Sequence, residues 1–156
     1  MLGKKKYYLA YGSNLNLKEM SKRCPIAKPI GTIILLDYHL IYRGSQDGYS
    51  YLTIEPQKTS IVPLGLFELT KKDIINLDIY EGYPNLYDKV TIPIMINKKQ
   101  REALIYIMKK GFDCHLPHSS YIKTCIEGYQ DFGFDLDILE RALIETKENL
   151  PKTKRK

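Results

Sequence analysis

Tyr8-Leu9-Ala10-Tyr11-Gly12-Ser13-Asn14 is the stretch on which this 156-residue chain turns. Its first half is aromatic and apolar, as a short buried strand requires, and its second half is a turn sequence. The spacing predicts a strand over Tyr7–Tyr11 that bends sharply at Gly12-Ser13. Glycine has no Cβ, so backbone N–H groups on either side of such a bend can converge on one point. That arrangement receives an anion or a developing oxyanion. The same residues also end ordinary strands, so the meaning of the stretch depends on the rest of the chain.

Downstream, Asn16 is placed to cap a helix over Leu17–Arg23, which Cys24-Pro25 ends. Ile30–Leu36 and Tyr38–Arg43 are β-branched or aromatic runs that meet at Asp37. Tyr49–Ile54 and Ile61–Leu69 are two more, separated by Pro56 and polar residues. Thr70 offers a hydroxyl cap to a helix that Gly82 stops. Val90, Ile92, Ile94 and Ile96 alternate as a one-sided strand does, with Pro93 at an edge or bulge. Asn97-Lys98-Lys99-Gln100 turns the chain back into Ala103–Met108. Beyond Pro117 the period becomes helical: Tyr121, Ile122, Cys125, Ile126 and Tyr129 share a face, with Ser119 or Ser120 as cap. Leu136, Leu139, Ala142 and Leu143 form a second amphipathic helix after Gly133. Strands first and helices last predict an α+β fold, with a small mixed β-barrel or strongly curved sheet against packed helices. Nothing divides the body, so residues 7–150 are expected to form one domain.

Composition narrows the function classes. The hydrophobic fraction is 44%, ordinary for a globular chain. No apolar run approaches the roughly 20 residues of a membrane span. The start of the chain lacks the apolar core and cleavage site of a signal peptide. Cys24, Cys114 and Cys125 are an odd set without CxxC spacing, which suits a reducing cytoplasm better than a disulfide framework. The formal charge is +6, but seven basic residues lie in the acid-free ends 1–6 and 151–156. The body keeps 17 basic and 18 acidic residues. The basicity is therefore expected of flexible ends rather than of a nucleic-acid groove.

Within the body, three features can carry chemistry. The Gly12-Ser13 turn is one. The second is Asp78-Ile79-Tyr80-Glu81-Gly82-Tyr83-Pro84, where Glu81 precedes a helix-breaking glycine between two tyrosines. A carboxyl among aromatic rings is partly desolvated, which raises its pKa and suits it to proton transfer. The third is the tyrosine content, 13 against no tryptophan. Tyr11, Tyr80, Tyr83, Tyr87, Tyr106 and Tyr121 could line a polar cavity. Cys114, His115 and His118 make one C-H-x-x-H cluster, but a structural zinc site normally has a second ligand pair, and none is visible. No metal is expected there, and His39 is expected to be structural. GxSxG, Walker A and GxGxxG motifs are absent.

In their order and spacing, these stretches resemble the γ-glutamylcyclotransferase-like (AIG2-like) family. The resemblance rests on Tyr8-Leu9-Ala10-Tyr11-Gly12-Ser13-Asn14-Leu15, Met20, Arg23-Cys24-Pro25, Gly31, Tyr38-His39-Leu40 and Gly65. It continues through Leu77-Asp78-Ile79-Tyr80-Glu81-Gly82, Tyr87 and Pro117-His118-Ser119-Ser120-Tyr121, covering about residues 7–145. It implies a small mixed barrel and a site without metal or organic cofactor. Glu81 would be the acid/base. Tyr8, Leu9, Ala10, Tyr11, Gly12 and Ser13 would cradle a γ-glutamyl group, Tyr121 would bind its glutamyl end, and Tyr87 and Tyr106 would be further pocket members.

The implied reaction is cyclisation of a γ-glutamyl amino acid or amine to 5-oxoproline, the α-amine attacking its own γ-carbonyl. The partner is a small molecule rather than nucleic acid or membrane, and monomer and homodimer both fit. A cation at the pocket mouth would favour a leaving group with a free carboxylate, and the sequence assigns no residue to that position. The alternative is a non-catalytic small-molecule binding protein on the same fold.

Overall fold

The computed structural model describes residues 5–152. The expectation for the basic ends therefore falls largely outside the described residues. Strand β1 is Lys6–Ala10, followed by a 3₁₀ turn at Ser13–Leu15 and helix α1 at Leu17–Arg23. Then come β2 (Lys28–Gly44), β3 (Ser50–Leu69), α2 (Lys71–Tyr80), β4 (Tyr87–Ile96), β5 (Lys99–Met108), the two-residue β6 (Asp113–Cys114), α3 (Ser119–Phe132) and α4 (Leu136–Glu148). The strands form one mixed sheet in the order β4-β5-β1-β3-β2-β6. The α+β class holds, but the sheet stays open between β4 and β6 and is not a closed barrel.

Two pairs of predicted strands are each a single strand. Ile30–Leu36 and Tyr38–Arg43 both belong to β2, and the pairing with β3 shifts between Leu36 and Tyr38. Asp37 takes a left-handed φ of 63° there, and its carboxylate accepts the Thr59 N–H at 3.0 Å. Pro56, expected to separate two strands, lies inside β3 opposite Tyr38. A bulge absorbs the local breakers, so the long pairing continues past them. Pro93 does lie in an edge strand, since among the described residues β4 pairs only with β5.

Caps explain the helix starts. The Asn16 side chain accepts the Glu19 N–H, and Thr70 and Asp73 form a reciprocal capping box on α2. Helix α3 is capped by His118 rather than by a serine: its ring Nδ1 accepts the Ser120 N–H at 3.0 Å. On α4 the buried positions are Leu139, Ala142 and Thr146, whereas Leu136 is exposed. The Thr146 hydroxyl accepts the Tyr42 N–H at 3.0 Å, which ties α4 to β2. His39 faces Glu145 at 2.6 Å in the same layer, a structural position as expected.

One topological fact locates the site. Central β1 is antiparallel to β3 and parallel to β5, but it ends at Ala10, opposite Gly65. Beyond it, β3 and β5 lose their common neighbour. Their freed backbone groups need other partners, and tyrosine and threonine side chains supply them. The Tyr87 hydroxyl donates to the Leu52 carbonyl at 2.6 Å, and the Leu52 N–H donates to the Tyr121 hydroxyl at 3.1 Å. Tyr11 donates to the Tyr106 carbonyl at 2.6 Å, and the Met108 N–H donates to the Thr53 hydroxyl at 3.0 Å.

Candidate active site

The space past the end of β1 is a cavity of about 280 Å³. Tyr8, Tyr11, Gly12, Ser13, Tyr87, Tyr106 and Tyr121 line it with Glu81, so most of the expected residues come together. Leu9 and Ala10 are not in the lining; both are buried in the core. Tyr83 also stands apart, with the Lys89 ammonium 4.4 Å from its ring centre. Tyr51, Leu52, Ile79, Tyr80 and Leu86 complete the wall with Asn14 and Gly82.

Glu81 owes its position to the way α2 stops. It is the last residue before Gly82, whose φ of 64° is left-handed. The Gly82 N–H bonds the Ile79 carbonyl at 3.2 Å and the Tyr83 N–H bonds the Asp78 carbonyl at 2.9 Å. This is the double closure of a Schellman ending, for which glycine is the favoured residue. The motif fixes the Glu81 backbone, and the side chain reaches the cavity.

There the Asn14 amide nitrogen donates to Glu81 Oε1 at 3.2 Å and to the Tyr8 hydroxyl at 2.9 Å. Its oxygen accepts from the Arg23 guanidinium. Arg23 therefore sets the orientation of the amide that holds the carboxyl. Asn14 belongs to the decisive stretch, yet its role is not visible in sequence, because it depends on contacts from two helices. That Asn14 is buried is the structural sign of a specific job.

Burial pushes the Glu81 carboxyl up to about 7, and the positive charge of Arg23 opposes that rise. Burial likewise raises the Tyr8, Tyr11, Tyr87 and Tyr121 hydroxyls well above the usual tyrosine range, so they stay protonated at neutral pH. The Tyr106 hydroxyl, raised mainly by burial, donates to Asp78 at 2.6 Å, and Asp78 also pairs with Lys89 at 2.9 Å. The cavity thus combines neutral, anchored hydroxyls with one carboxyl able to exchange a proton near neutrality.

Helix α3 supports the turn from behind. Gly128 lies against it so closely that an added Cβ would meet the Asn16 nitrogen at 2.6 Å and the Leu15 carbonyl carbon at 2.7 Å. The residues of the C-H-x-x-H cluster have other tasks. Cys114 is buried in β6, opposite Arg43, His115 stands 3.3 Å from Asp47, and His118 is the α3 cap. Among the described residues no group of three or more His, Cys, Asp or Glu is arranged to hold a metal ion. No helix among them is long and apolar enough to cross a membrane.

Solved structures share this architecture. A protein described as a gamma-glutamyl cyclotransferase superposes with a TM-score of 0.72 at 22% identity, over 96% of this chain and 90% of its own. An uncharacterized protein from Homo sapiens gives 0.72 at 23% identity, over 95% and 89%. YkqA from Bacillus subtilis gives 0.71 at 15% identity, over 95% of this chain and 56% of its own. At these identities the likeness is one of fold. No curated protein sequence matches the chain. The sequence model described as "Gamma-glutamyl cyclotransferase, AIG2-like" matches residues 8–124, which include the turn, Arg23, Glu81 and Tyr121. The chain therefore belongs to the γ-glutamyl cyclotransferase, AIG2-like family, and that membership supports an activity of this type.

Proposed function

We propose that the chain converts a γ-glutamyl amino acid or amine to 5-oxoproline and the free amine, with Glu81 as general acid and base. The observation that carries this reading is a single carboxyl, raised to about 7, inside a cavity walled by neutral tyrosines. A base is most effective when its pKa lies near the working pH. A module that only binds its ligand would not need a carboxyl poised in this way.

The substrate α-nitrogen starts as an ammonium and is not nucleophilic. Ionised Glu81 takes a proton from it, and the amine lone pair attacks the γ-carbonyl carbon of the same molecule. A five-membered ring closes and the carbonyl oxygen becomes an oxyanion. Glu81 gives this first proton to the leaving nitrogen, the bond to that nitrogen breaks, and Glu81 then takes the extra proton from the ring nitrogen and passes it to the departing amine. In total two protons move from the α-nitrogen to the leaving amine, so the charge balances and one carboxyl suffices as shuttle.

Attack within one molecule removes most of the entropic barrier, provided the glutamyl chain is held curled. Holding it falls to Tyr8, Tyr11, Gly12, Ser13, Tyr87, Tyr106 and Tyr121. The carbonyls of Gly12 and Ser13 are engaged inside the 3₁₀ turn, by Leu15 and Asn16. The N–H groups at the start of that turn are assigned to the α-carboxylate or the oxyanion. Incubation with a panel of γ-glutamyl compounds and quantification of 5-oxoproline tests the proposal; no release from any of them refutes it.

A further inference from the structure

A second, more polar space adjoins the cavity, and the side chains they share form a gate between them. Ser13, Tyr51, Tyr80 and Tyr121 line both. On one side of the gate, the Ser13 and Tyr80 hydroxyls are hydrogen-bonded at 3.0 Å. On the other, the Tyr51 and Tyr121 rings meet edge to face, 5.2 Å between centres. The groove beyond, about 370 Å³, is walled by Glu19, Arg23, Gly48, His118, Ser120 and Thr124. Among the described residues that line the catalytic cavity there is no Lys, Arg or His. Arg23 therefore brings positive charge to the neighbouring groove, just outside the gate.

Arg23 is firmly held there. It donates to Asn14 Oδ1, lies 3.7 Å from Glu19, and stacks with its guanidinium carbon 3.6 Å from the Tyr80 ring centre. The Asn76 amide fixes its backbone by donating to the Arg23 carbonyl at 3.1 Å. A guanidinium has five N–H donors in a rigid fork. Asn14 and Glu19 leave part of that fork for another acceptor, and the Arg23 side chain keeps 15% of its surface exposed. Glu19 also pairs with Lys22 at 3.1 Å, so its charge is shared between two cations. A planar fork stacked on a ring at a gate is suited to a carboxylate.

We propose that this groove receives the leaving amine of the substrate and that Arg23 binds a carboxylate carried by that amine. The chain would then favour γ-glutamyl amino acids over γ-glutamyl alkylamines. This rests on the cyclotransferase reading: with the glutamyl part curled in the cavity and its amide at Glu81, the adjoining groove is the space we assign to the leaving group. It gives Arg23 a specificity-determining contact in addition to its hold on Asn14.

Two substrates isolate that contact. γ-Glutamyl-alanine and γ-glutamyl-ethylamine differ only in the carboxylate on the leaving amine, and 5-oxoproline release gives kcat/KM for each. The unmodified protein should prefer the alanine compound by about tenfold or more, as expected of a charge-assisted hydrogen bond at a partly exposed site. Arg23→Met should bring the ratio close to one, and Arg23→Lys, which keeps the charge without the fork, should leave an intermediate preference. Because the ratio is taken within one protein, any effect of Arg23 on Glu81 cancels. A ratio near one in the unmodified protein, or one that neither Arg23 variant alters, overturns the assignment. If neither compound releases 5-oxoproline while others of the panel do, the groove assignment alone falls. If none does, the reaction itself falls and takes this assignment with it.

Discussion

Glu81→Gln tests the catalytic and the electrostatic reasoning in one variant. Glutamine keeps the size of the side chain and an oxygen that can accept from Asn14, but it cannot take up a proton. General acid–base catalysis typically supplies roughly 10²–10⁴-fold, so 5-oxoproline release should fall by at least that factor, with a much smaller change in substrate affinity. Stability should change in the opposite direction. Burial raises the folded-state pKa of Glu81 from 4.5 to about 7, so between these values the folded protein holds a proton that the unfolded chain has lost. Native stability must then decline as pH rises through this window and level off above about 7. At about 1.4 kcal/mol per unit, the full window amounts to about 3 kcal/mol, an upper bound for a side chain that faces an open cavity. Glutamine removes this cost. The variant should therefore match the parent near pH 4 and exceed it at pH 8, measured by urea denaturation across a pH series. Near-normal turnover in a folded Glu81→Gln protein would refute the catalytic role. A stability difference that does not vary with pH would refute the raised pKa.

Four further outcomes are expected from the same geometry. The pH profile of kcat/KM should rise through a midpoint near pH 7 as Glu81 ionises and level off above it, and Arg23→Met should move that limb to higher pH, because Arg23 opposes the upward shift. Gly128→Ala should destabilise the fold by about 1–3 kcal/mol and lower turnover, since the new Cβ would push the backbone of Leu15 and Asn16 and disturb the turn that carries Asn14; thermal melting and the oxoproline assay read the two effects. Tyr87→Phe should cost about 1 kcal/mol in denaturant unfolding, because the buried Leu52 carbonyl loses its donor. Turnover should survive exhaustive chelation, because Cys114, His115 and His118 are engaged in structural contacts; loss of activity restored by zinc would contradict this.

Legible in the sequence is whatever neighbouring residues decide. Helices α1 and α2 are readable because Asn16, Thr70 and Asp73 cap them within three residues. Glu81 is readable because its aromatic neighbours and Gly82 adjoin it in the chain. The expected strand breaks fail for the same local reason. Asp37 and Pro56 are poor strand residues by themselves, but each is carried by a partner strand that sequence does not reveal. The α3 cap falls on His118 instead of a serine because its ring Nδ1 accepts the Ser120 N–H, although histidine is the rarer cap. The link of Arg23 and Asn14 to Glu81 stays hidden because the contact from Asn14 to Glu81 spans 67 positions.

The architecture explains why so small a chain can hold a carboxyl near neutrality. A fully sealed Glu81 would simply stay protonated, while a fully exposed one would be ionised and a weak base. The short β1 avoids both extremes. By ending at Ala10 it leaves a cleft between β3 and β5, and tyrosines, rather than water, satisfy the backbone groups exposed at its walls. That dries the site enough to raise the carboxyl. Arg23, reaching in through Asn14, limits the rise. The two influences come from different elements, the tyrosines from the sheet and α3, the guanidinium from α1. They act on the same limb in opposite directions: removing a tyrosine hydroxyl that holds a wall should let water in and move the limb to lower pH, whereas removing the Arg23 charge should move it to higher pH.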